Sequence, residues 1–364
     1  LLPDEALASP QVDFLVRGEG ERSFPNLVHT LENQSDPLRV KGVSFKKNGQ
    51  VVHNIDEEHI QELDSIPHPA RELLWDMDSY DSEALGHLFT SRGCPYKCNF
   101  CSSAGIWSRK VRYRSVESMI EEIRLVKERY GTKQFSFWDD VFTINKERTR
   151  KFCEALIKER LNVYWSCTCR FDNVNEEIIV LMKEAGCNNM EFGVESGSER
   201  ILKYIKKGVD KDKMRQVAHL LNKHGVYWSA FFIIGFPTEP EEEIWGTVRF
   251  MKELKPQWAT FGIFTPYPGT ELFDIAVEKG LMARSPDWSR FGHQSPHNRF
   301  SDQIKPERFE LLVSLVSRAF DRHNRNPYFL LKKALSRIRI YSSPRELFAD
   351  GKKLLSWLGL IKAA

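Results

Sequence analysis

From His87 to about Thr265, short apolar runs alternate regularly with longer amphipathic stretches. The runs His87–Ser91, Gln134–Trp138, Val163–Cys169, Asn189–Val194, Trp228–Ile234 and Ala259–Phe264 have the length and composition of strands. The segments near Val116–Tyr130, Lys146–Arg160, Glu176–Ala185, Glu199–Tyr204, Lys211–His224 and Glu241–Leu254 read as helices. Strands buried on both faces, each followed by a helix, indicate an α/β protein with a parallel sheet. Six units fall short of a full barrel of eight. An open, partial (β/α)6 barrel of the TIM type and a doubly wound sheet both fit. In either fold the chemistry belongs at the C-terminal ends of the strands.

The flanks follow other patterns. Val12–Val16 is a short strand running into Arg17-Gly18-Glu19-Gly20-Glu21, a turn that leads to a helix over about Ser23–Leu31. Val40–Phe45 and Val51–Val52 bracket Lys47-Asn48-Gly49, and Asn-Gly is a hairpin signal. Pro67-His68-Pro69 marks a linker. The expected organisation is therefore a small unit at 1–63, a linker at 64–80, the barrel at 81–300 and a helical, basic extension at 301–364.

Charge adds one feature to this picture. The chain has 364 residues and a net charge of +3, but residues 326–364 carry eight Lys/Arg against two Asp/Glu. This balance argues neither for nor against a polyanionic partner, and no nucleic-acid partner is expected. No apolar run approaches the roughly 20 residues needed to cross a bilayer; the longest, Val226–Phe236, is interrupted by Ser229. The start, Leu1-Leu2-Pro3-Asp4-Glu5, lacks the basic and apolar regions of a signal peptide, and its first residue is Leu rather than Met, as in a fragment of a longer protein. Seven cysteines, clustered rather than spread, suit a reducing cytoplasm better than a disulfide framework.

The chemistry begins where the first strand ends, at Ser91-Arg92-Gly93-Cys94-Pro95-Tyr96-Lys97-Cys98-Asn99-Phe100-Cys101. Cys94, Cys98 and Cys101 lie on a glycine-opened loop that can wrap their thiolates round a [4Fe–4S] cluster. Three ligands for four irons leave one iron open. A structural zinc site would want a fourth ligand, and no Cys or His stands close by to supply it. Cys153, Cys167, Cys169 and Cys187 read as buried thiols.

At this motif the chain resembles the radical S-adenosylmethionine (SAM) superfamily. More widely it is similar to the class with a cobalamin-binding domain, which includes anaerobic magnesium-protoporphyrin ester cyclases, hopanoid-modifying enzymes and methyltransferases. The resemblance covers about residues 11–300. Besides the cysteines it rests on Phe137-Trp138-Asp139-Asp140-Val141-Phe142, Gly193-Val194-Glu195-Ser196, Ile234-Gly235-Phe236-Pro237-Thr238-Glu239 and Pro266-Tyr267-Pro268-Gly269-Thr270. It implies reductive SAM cleavage to a 5′-deoxyadenosyl radical, used for methyl transfer or oxidative cyclisation of a small molecule, lipid-like or tetrapyrrole. It also implies an electron donor of the flavodoxin or ferredoxin kind.

Polar groups at successive strand ends are then candidates for SAM. Asp139 and Asp140 follow strand two and suit the ammonium group. Arg170 ends strand three, and its planar fork suits the carboxylate. Glu195 ends strand four, where a ribose diol would satisfy a buried carboxylate; Ser196 follows it. Phe100 matches the family aromatic whose backbone lies beside the adenine, and Gly235 permits close backbone approach. Phe231, Phe232, Phe261 and Phe264 are expected to make an apolar barrel interior.

The resemblance also implies a cobalamin domain with an Asp-x-His-x-x-Gly loop. Asp321-Arg322-His323 is the one start of that kind, but Asn326 replaces the glycine and the stretch is helical. Residues 1–35 match only the last strand and helix of such a domain. Cobalamin is thus expected in a longer parent and not on this chain alone. In the tail, Ser343-Pro344-Arg345-Glu346 reads as a capping box opening a basic amphipathic helix with Trp357 and Lys352, which suits peripheral contact with an anionic membrane. A structural metal-binding module and a non-catalytic scaffold of the same fold are the competing readings.

Overall fold

The computed structural model describes residues 2–330 except 293, 294 and 296. The proposed tail helix beyond Ser343 lies outside the described residues.

The chain opens with helix α1 (Pro3–Ala8), strand β1 (Phe14–Val16), helix α2 (Gly20–Glu32) and strands β2 (Val43–Lys47) and β3 (Gln50–His53). The strands form an antiparallel sheet in the order β1-β2-β3. Asn48 and Gly49, between β2 and β3, both have positive φ (52° and 77°), as a two-residue primed hairpin turn requires. Leu27, Val40, Val43 and Phe45 form a small core of their own. The connecting segment is pinned by Arg71, whose guanidinium donates to Leu85 O (2.8 Å) and to Glu122 Oε1 (2.7 Å).

The main body continues with β4 (His87–Leu88), β5 (Ser91–Arg92), α3 (Ser103–Trp107), β6 (Arg112–Tyr113), α4 (Val116–Tyr130), β7 (Gln134–Phe137), α5 (Lys146–Glu159), β8 (Tyr164–Cys169) and α6 (Glu176–Glu184). It is completed by β9 (Cys187–Glu195), α7 (Glu199–Tyr204), α8 (Lys211–Lys223), β10 (Trp228–Ile234), α9 (Glu241–Leu254), β11 (Trp258–Ile263), α10 (Glu271–Glu278) and α11 (Pro306–Asn324). A six-stranded sheet runs β4-β7-β8-β9-β10-β11, and its neighbours pair in parallel. Each new strand adds beside the previous one, so the order never reverses. A doubly wound sheet needs such a reversal. The winding is that of a partial barrel.

The first strand departs from the expected run His87–Ser91. It leaves the parallel sheet after Leu88, and Ser91–Arg92 pairs antiparallel with β6 instead. This small hairpin carries the cysteine loop between its strands.

Burial along β8 alternates strictly: Trp165, Cys167 and Cys169 are buried under the helices, while Tyr164, Ser166 and Thr168 are half-exposed on the concave face. The strands are therefore not buried on both faces. Nor is the interior built from the four expected phenylalanines. Phe232 and Phe261 pack outward against Phe320 of α11, and Phe264 packs against Phe236 and Phe300. Of the four, Phe231 alone follows the exposed alternation of the concave face. No described helix is long and apolar enough to cross a membrane.

Helix α11 covers the edge of β11. Asn324, buried at its C-terminal end, accepts from Ala259 N (2.9 Å) and donates to Ala259 O (2.8 Å), which satisfies two backbone groups that an open edge would expose. Asn324→Ala strands both groups in a buried place, so it should lower unfolding stability by about 1–3 kcal/mol in urea denaturation. An unchanged midpoint would show that α11 does not protect this edge.

Candidate active site

The cysteine loop is held at its base and in its middle. At the base, Gly93 has φ of 99°, and a Cβ there would lie 2.5 Å from Lys110 O across the hairpin. Arg92 and Arg112, one from each strand of the hairpin, converge on the buried carboxylate of Glu19 at 3.4 and 2.6 Å. In the middle, Asn99 donates from its side chain to Tyr204 O (2.9 Å) and from its backbone to Ile205 O (3.2 Å). Its carbonyl accepts from Leu272 N at 3.1 Å. Phe100, from which the adenine-facing backbone was expected, meets Phe236 edge-on at 6.1 Å.

Cys94 and Cys98 are half-buried and Cys101 is exposed, whereas Cys153, Cys167, Cys169 and Cys187 are buried. Burial, with Asp140 adding to it, pushes the Cys94 thiol above its usual range, and a bound cation would favour its thiolate. Three free, accessible thiols on one loop are a donor set that fits an iron–sulfur cluster. Among the described residues, no three His, Cys, Asp or Glu side chains close on a single metal ion. A four-iron cube spaces its protein sulfurs more widely than one ion does.

The strand-end residues divide into those that face the loop and those consumed by the fold. Asp139 is buried and accepts from Thr90 N (2.6 Å), Thr90 Oγ1 (2.5 Å) and Ser91 Oγ (2.6 Å). Its carboxylate thus fastens the break between β4 and β5. Asp140 stays by the loop, hydrogen-bonded to Ser103, and burial raises its pKa. Ser196 is likewise tied into the fold. Its hydroxyl lies 3.3 Å from Thr247 Oγ1 on α9 and accepts from Ser198 N at 3.1 Å.

Arg170 does not hold out a free fork. Its Nε and Nη2 bond Asp172 at 2.9 and 3.3 Å, its Nη2 also donates to Lys207 O at 2.6 Å, and the guanidinium stacks 3.6 Å from the Tyr96 ring centroid. The remaining Nη1 points to Cys98 Sγ at 3.9 Å, which places a fixed positive charge beside that sulfur.

Glu195 has a φ of 66°, a left-handed conformation uncommon outside glycine that tends to persist at functional sites. Its Oε1 accepts from Lys207 Nζ at 2.7 Å, and both side chains are buried. A Cβ at Gly193 would collide with that same oxygen, so the glycine is the space into which the pair folds. Gly235 has a φ of 83°, and a Cβ there would meet Phe309 at 2.8 Å. Its N–H and that of Phe236 donate to Glu239 Oε2 at 2.7 and 3.2 Å. Complete burial pushes Glu239 up to about 8, and its Oε1 has no hydrogen-bond partner.

Lys207 and Glu19 were not foreseen as parts of the site. The signal for Lys207 was Lys206-Lys207-Gly208 after a short helix, with Gly208 at φ 70°. Glu19 lay in the Gly-Glu-Gly-Glu turn and read as plain punctuation. A cleft of about 480 Å³ beside Arg92, lined by Pro67, His87 and Phe89 among others, contains none of the loop cysteines.

Comparison with known proteins decides what kind of site this is. Residues 88–251 match the radical SAM superfamily model. The chain is 35% identical over 346 residues to an uncharacterized methyltransferase of Pyrococcus horikoshii, covering 91% of this chain and 74% of that protein. The chain belongs to the radical SAM superfamily. It is also 29% identical to the anaerobic magnesium-protoporphyrin IX monomethyl ester cyclase of a Synechocystis species, over 84% of this chain but only 61% of the cyclase. Among solved structures it superposes on the radical SAM methyltransferase TsrM of Kitasatospora setae, with cobalamin and a [4Fe–4S] cluster bound, at a TM-score of 0.66 and 16% identity, covering 82% of this chain and 62% of TsrM. That likeness is one of fold. Membership of the superfamily implies a [4Fe–4S] cluster and SAM, for which the open cysteine loop is suited. A zinc module is not what the family implies.

The buried Glu195–Lys207 pair generates a direct test. Lys207→Met leaves a buried carboxylate without its cation and should cost about 3–5 kcal/mol in urea denaturation. Adding Glu195→Gln should recover part of that loss. A double variant no more stable than Lys207→Met would show that the two side chains are not energetically coupled.

Proposed function

We propose that this radical SAM protein cleaves SAM reductively and directs the resulting radical to a C–H bond of a small molecule, in methyl transfer or oxidative cyclisation. The observation that carries the reading is the half-open loop of three free thiols at the end of the first barrel strand, with Arg170 beside Cys98.

In this proposal Cys94, Cys98 and Cys101 ligate the cluster. With it bound, the chemistry supplied at the mouth is one-electron cleavage of a SAM carbon–sulfur bond to methionine and a 5′-deoxyadenosyl radical. The chain's residues do the positioning. Arg170 sets a cation against the Cys98 sulfur and is locked by Asp172 and Tyr96. Asp140, at the loop, is the remaining candidate for the SAM ammonium. Glu195 and Lys207 present a carboxylate and an ammonium together, matched to a ribose diol and a carboxylate respectively. The backbone at Phe100 and Gly235 borders the adenine. Asp139 and Ser196 act one step back, by fixing the strand ends.

An electron donor of the flavodoxin or ferredoxin class completes the proposal. Its support for methyl transfer or cyclisation is the likeness to the archaeal methyltransferase and the cyanobacterial cyclase. Cobalamin is supported only by proteins of the same fold; gel filtration of residues 1–364 with cobalamin should leave them without stoichiometric corrin.

After anaerobic reconstitution, Cys98→Ala should lose the broad brown absorption and 5′-deoxyadenosine formation together. Cys153→Ala, which removes a thiol buried on α5, should keep both. A Cys98→Ala protein with full iron content and undiminished SAM cleavage would overturn the ligand assignment.

A further inference from the structure

The concave face of the barrel has a mostly neutral polar floor. Alternation places Ser136 on β7, Ser166 and Thr168 on β8, Asn189 and Glu191 on β9 and Thr260 on β11 on the half-exposed face. Ser166 and Ser136 bond each other across strands at 3.2 Å, and Ser229 of β10 donates to Asn189 Oδ1 at 3.0 Å. Trp138, whose ring lies 5.4 Å from that of His87, and Phe231 are 58% and 38% exposed, large apolar surfaces of the kind a ligand covers.

Besides His87 of β4, a titratable base in register with Ser136, the exception to the neutrality is Glu191. It lies mid-strand, in register with Thr168 on one side and Ser229 on the other. Its neighbours in the chain, Met190 and Phe192, are fully buried beneath the helices, so its side chain is on the opposite, concave face. Its hydrogen-bond partner is Asn189, whose amide donates to Oε1 at 2.9 Å. Among the described residues no Lys, Arg or His forms an ion pair with it. The charged groups nearer the mouth are committed, Arg170 to Asp172 and Lys207 to Glu195. Burial raises the Glu191 carboxyl above its usual range, and the Asn189 bond offsets this only in part. A half-buried carboxylate with a neutral partner is a cost that the fold does not explain, since its strand neighbours need no anion.

We infer that Glu191 is the substrate-anchoring residue of the cavity, and that it selects a substrate carrying a cationic nitrogen, with an apolar or aromatic part packed on Trp138 and Phe231. This rests on the radical SAM reading and narrows it. A hydrocarbon substrate would leave the carboxylate desolvated with the neutral Asn189 amide as its partner, and an acidic one would meet a like charge. A protonated amine supplies the missing counter-charge, and its ring or chain covers the aromatic posts. A cation seated on the floor also holds the rest of the molecule towards the mouth, where hydrogen abstraction would occur.

The probe is 2-phenylethylamine, with 2-phenylethanol and phenylacetate as the neutral and acidic comparisons, titrated calorimetrically into the full chain. The amine should bind, and at least tenfold more tightly than either comparison. Glu191→Gln should remove that preference by at least tenfold, and Glu191→Asp, which keeps the charge, should retain most of it. No amine binding to the unaltered chain overturns the proposal, as does equal amine affinity in Glu191→Gln or alcohol binding as tight as amine binding. Formation of 5′-deoxyadenosine by the unaltered, reconstituted chain is measured in parallel. Its absence would sink the radical SAM activity, while the amine titration judges the anchor separately.

Discussion

The structure depends on what happens at Phe89 and Thr90, where the chain must leave a parallel sheet and enter a hairpin. Leaving the sheet frees backbone and hydroxyl groups in a buried place, and each would cost free energy if unpaired. Asp139, arriving from the neighbouring strand, answers with a single carboxylate that accepts from Thr90 N, Thr90 Oγ1 and Ser91 Oγ. Because the break is tied down there, the loop that follows starts from a fixed point. The three cysteines can then be presented half-open without the loop itself being loose.

A second clamp closes on the same hairpin from the N-terminal unit. Glu19 reaches Arg92 and Arg112, one on each strand, and accepts from Ile60 N at 2.7 Å. Buried charges of this kind are a weak source of stability but a strong constraint on geometry, since every alternative arrangement leaves one of them unpaired. The same logic governs the mouth. Glu195, Lys207, Arg170 and Cys98 make a connected chain, from carboxylate to ammonium, from the lysine carbonyl to guanidinium, and from guanidinium to sulfur. The site is thus preorganised by charges that already satisfy one another, and an incoming ligand enters an existing network.

The two faces of the sheet have different duties. The outer face packs Trp165, Met190, Phe192 and Trp228 under the helices and supplies the apolar burial. The inner face gives up that burial to carry hydroxyls, amides and Glu191. That is why a residue pattern that reads as a strand buried on both sides turned out to be half-open.

The sequence by itself determined five of the six sheet strands and the six helices between them nearly to the residue, because period-two and helical patterns are local properties of the chain. It did not determine the break of the first strand or the elements α3, β6 and α10. Helices Val116–Tyr130, Glu199–Tyr204 and Glu241–Leu254 and strand Trp228–Ile234 stand where the pattern put them. The cysteine spacing was equally legible, since three ligands on one loop are also local. Tertiary structure decided the rest. Asp139 pairs with groups 49 residues away, and Glu195 with a lysine beyond the next helix. Whether a strand-end carboxylate faces a ligand or a neighbouring strand depends on which distant donor needs it, and no pattern along the chain records that. The winding of the sheet was decided in the same way. A barrel and a doubly wound sheet share one local alternation and differ only in which strand lies beside which.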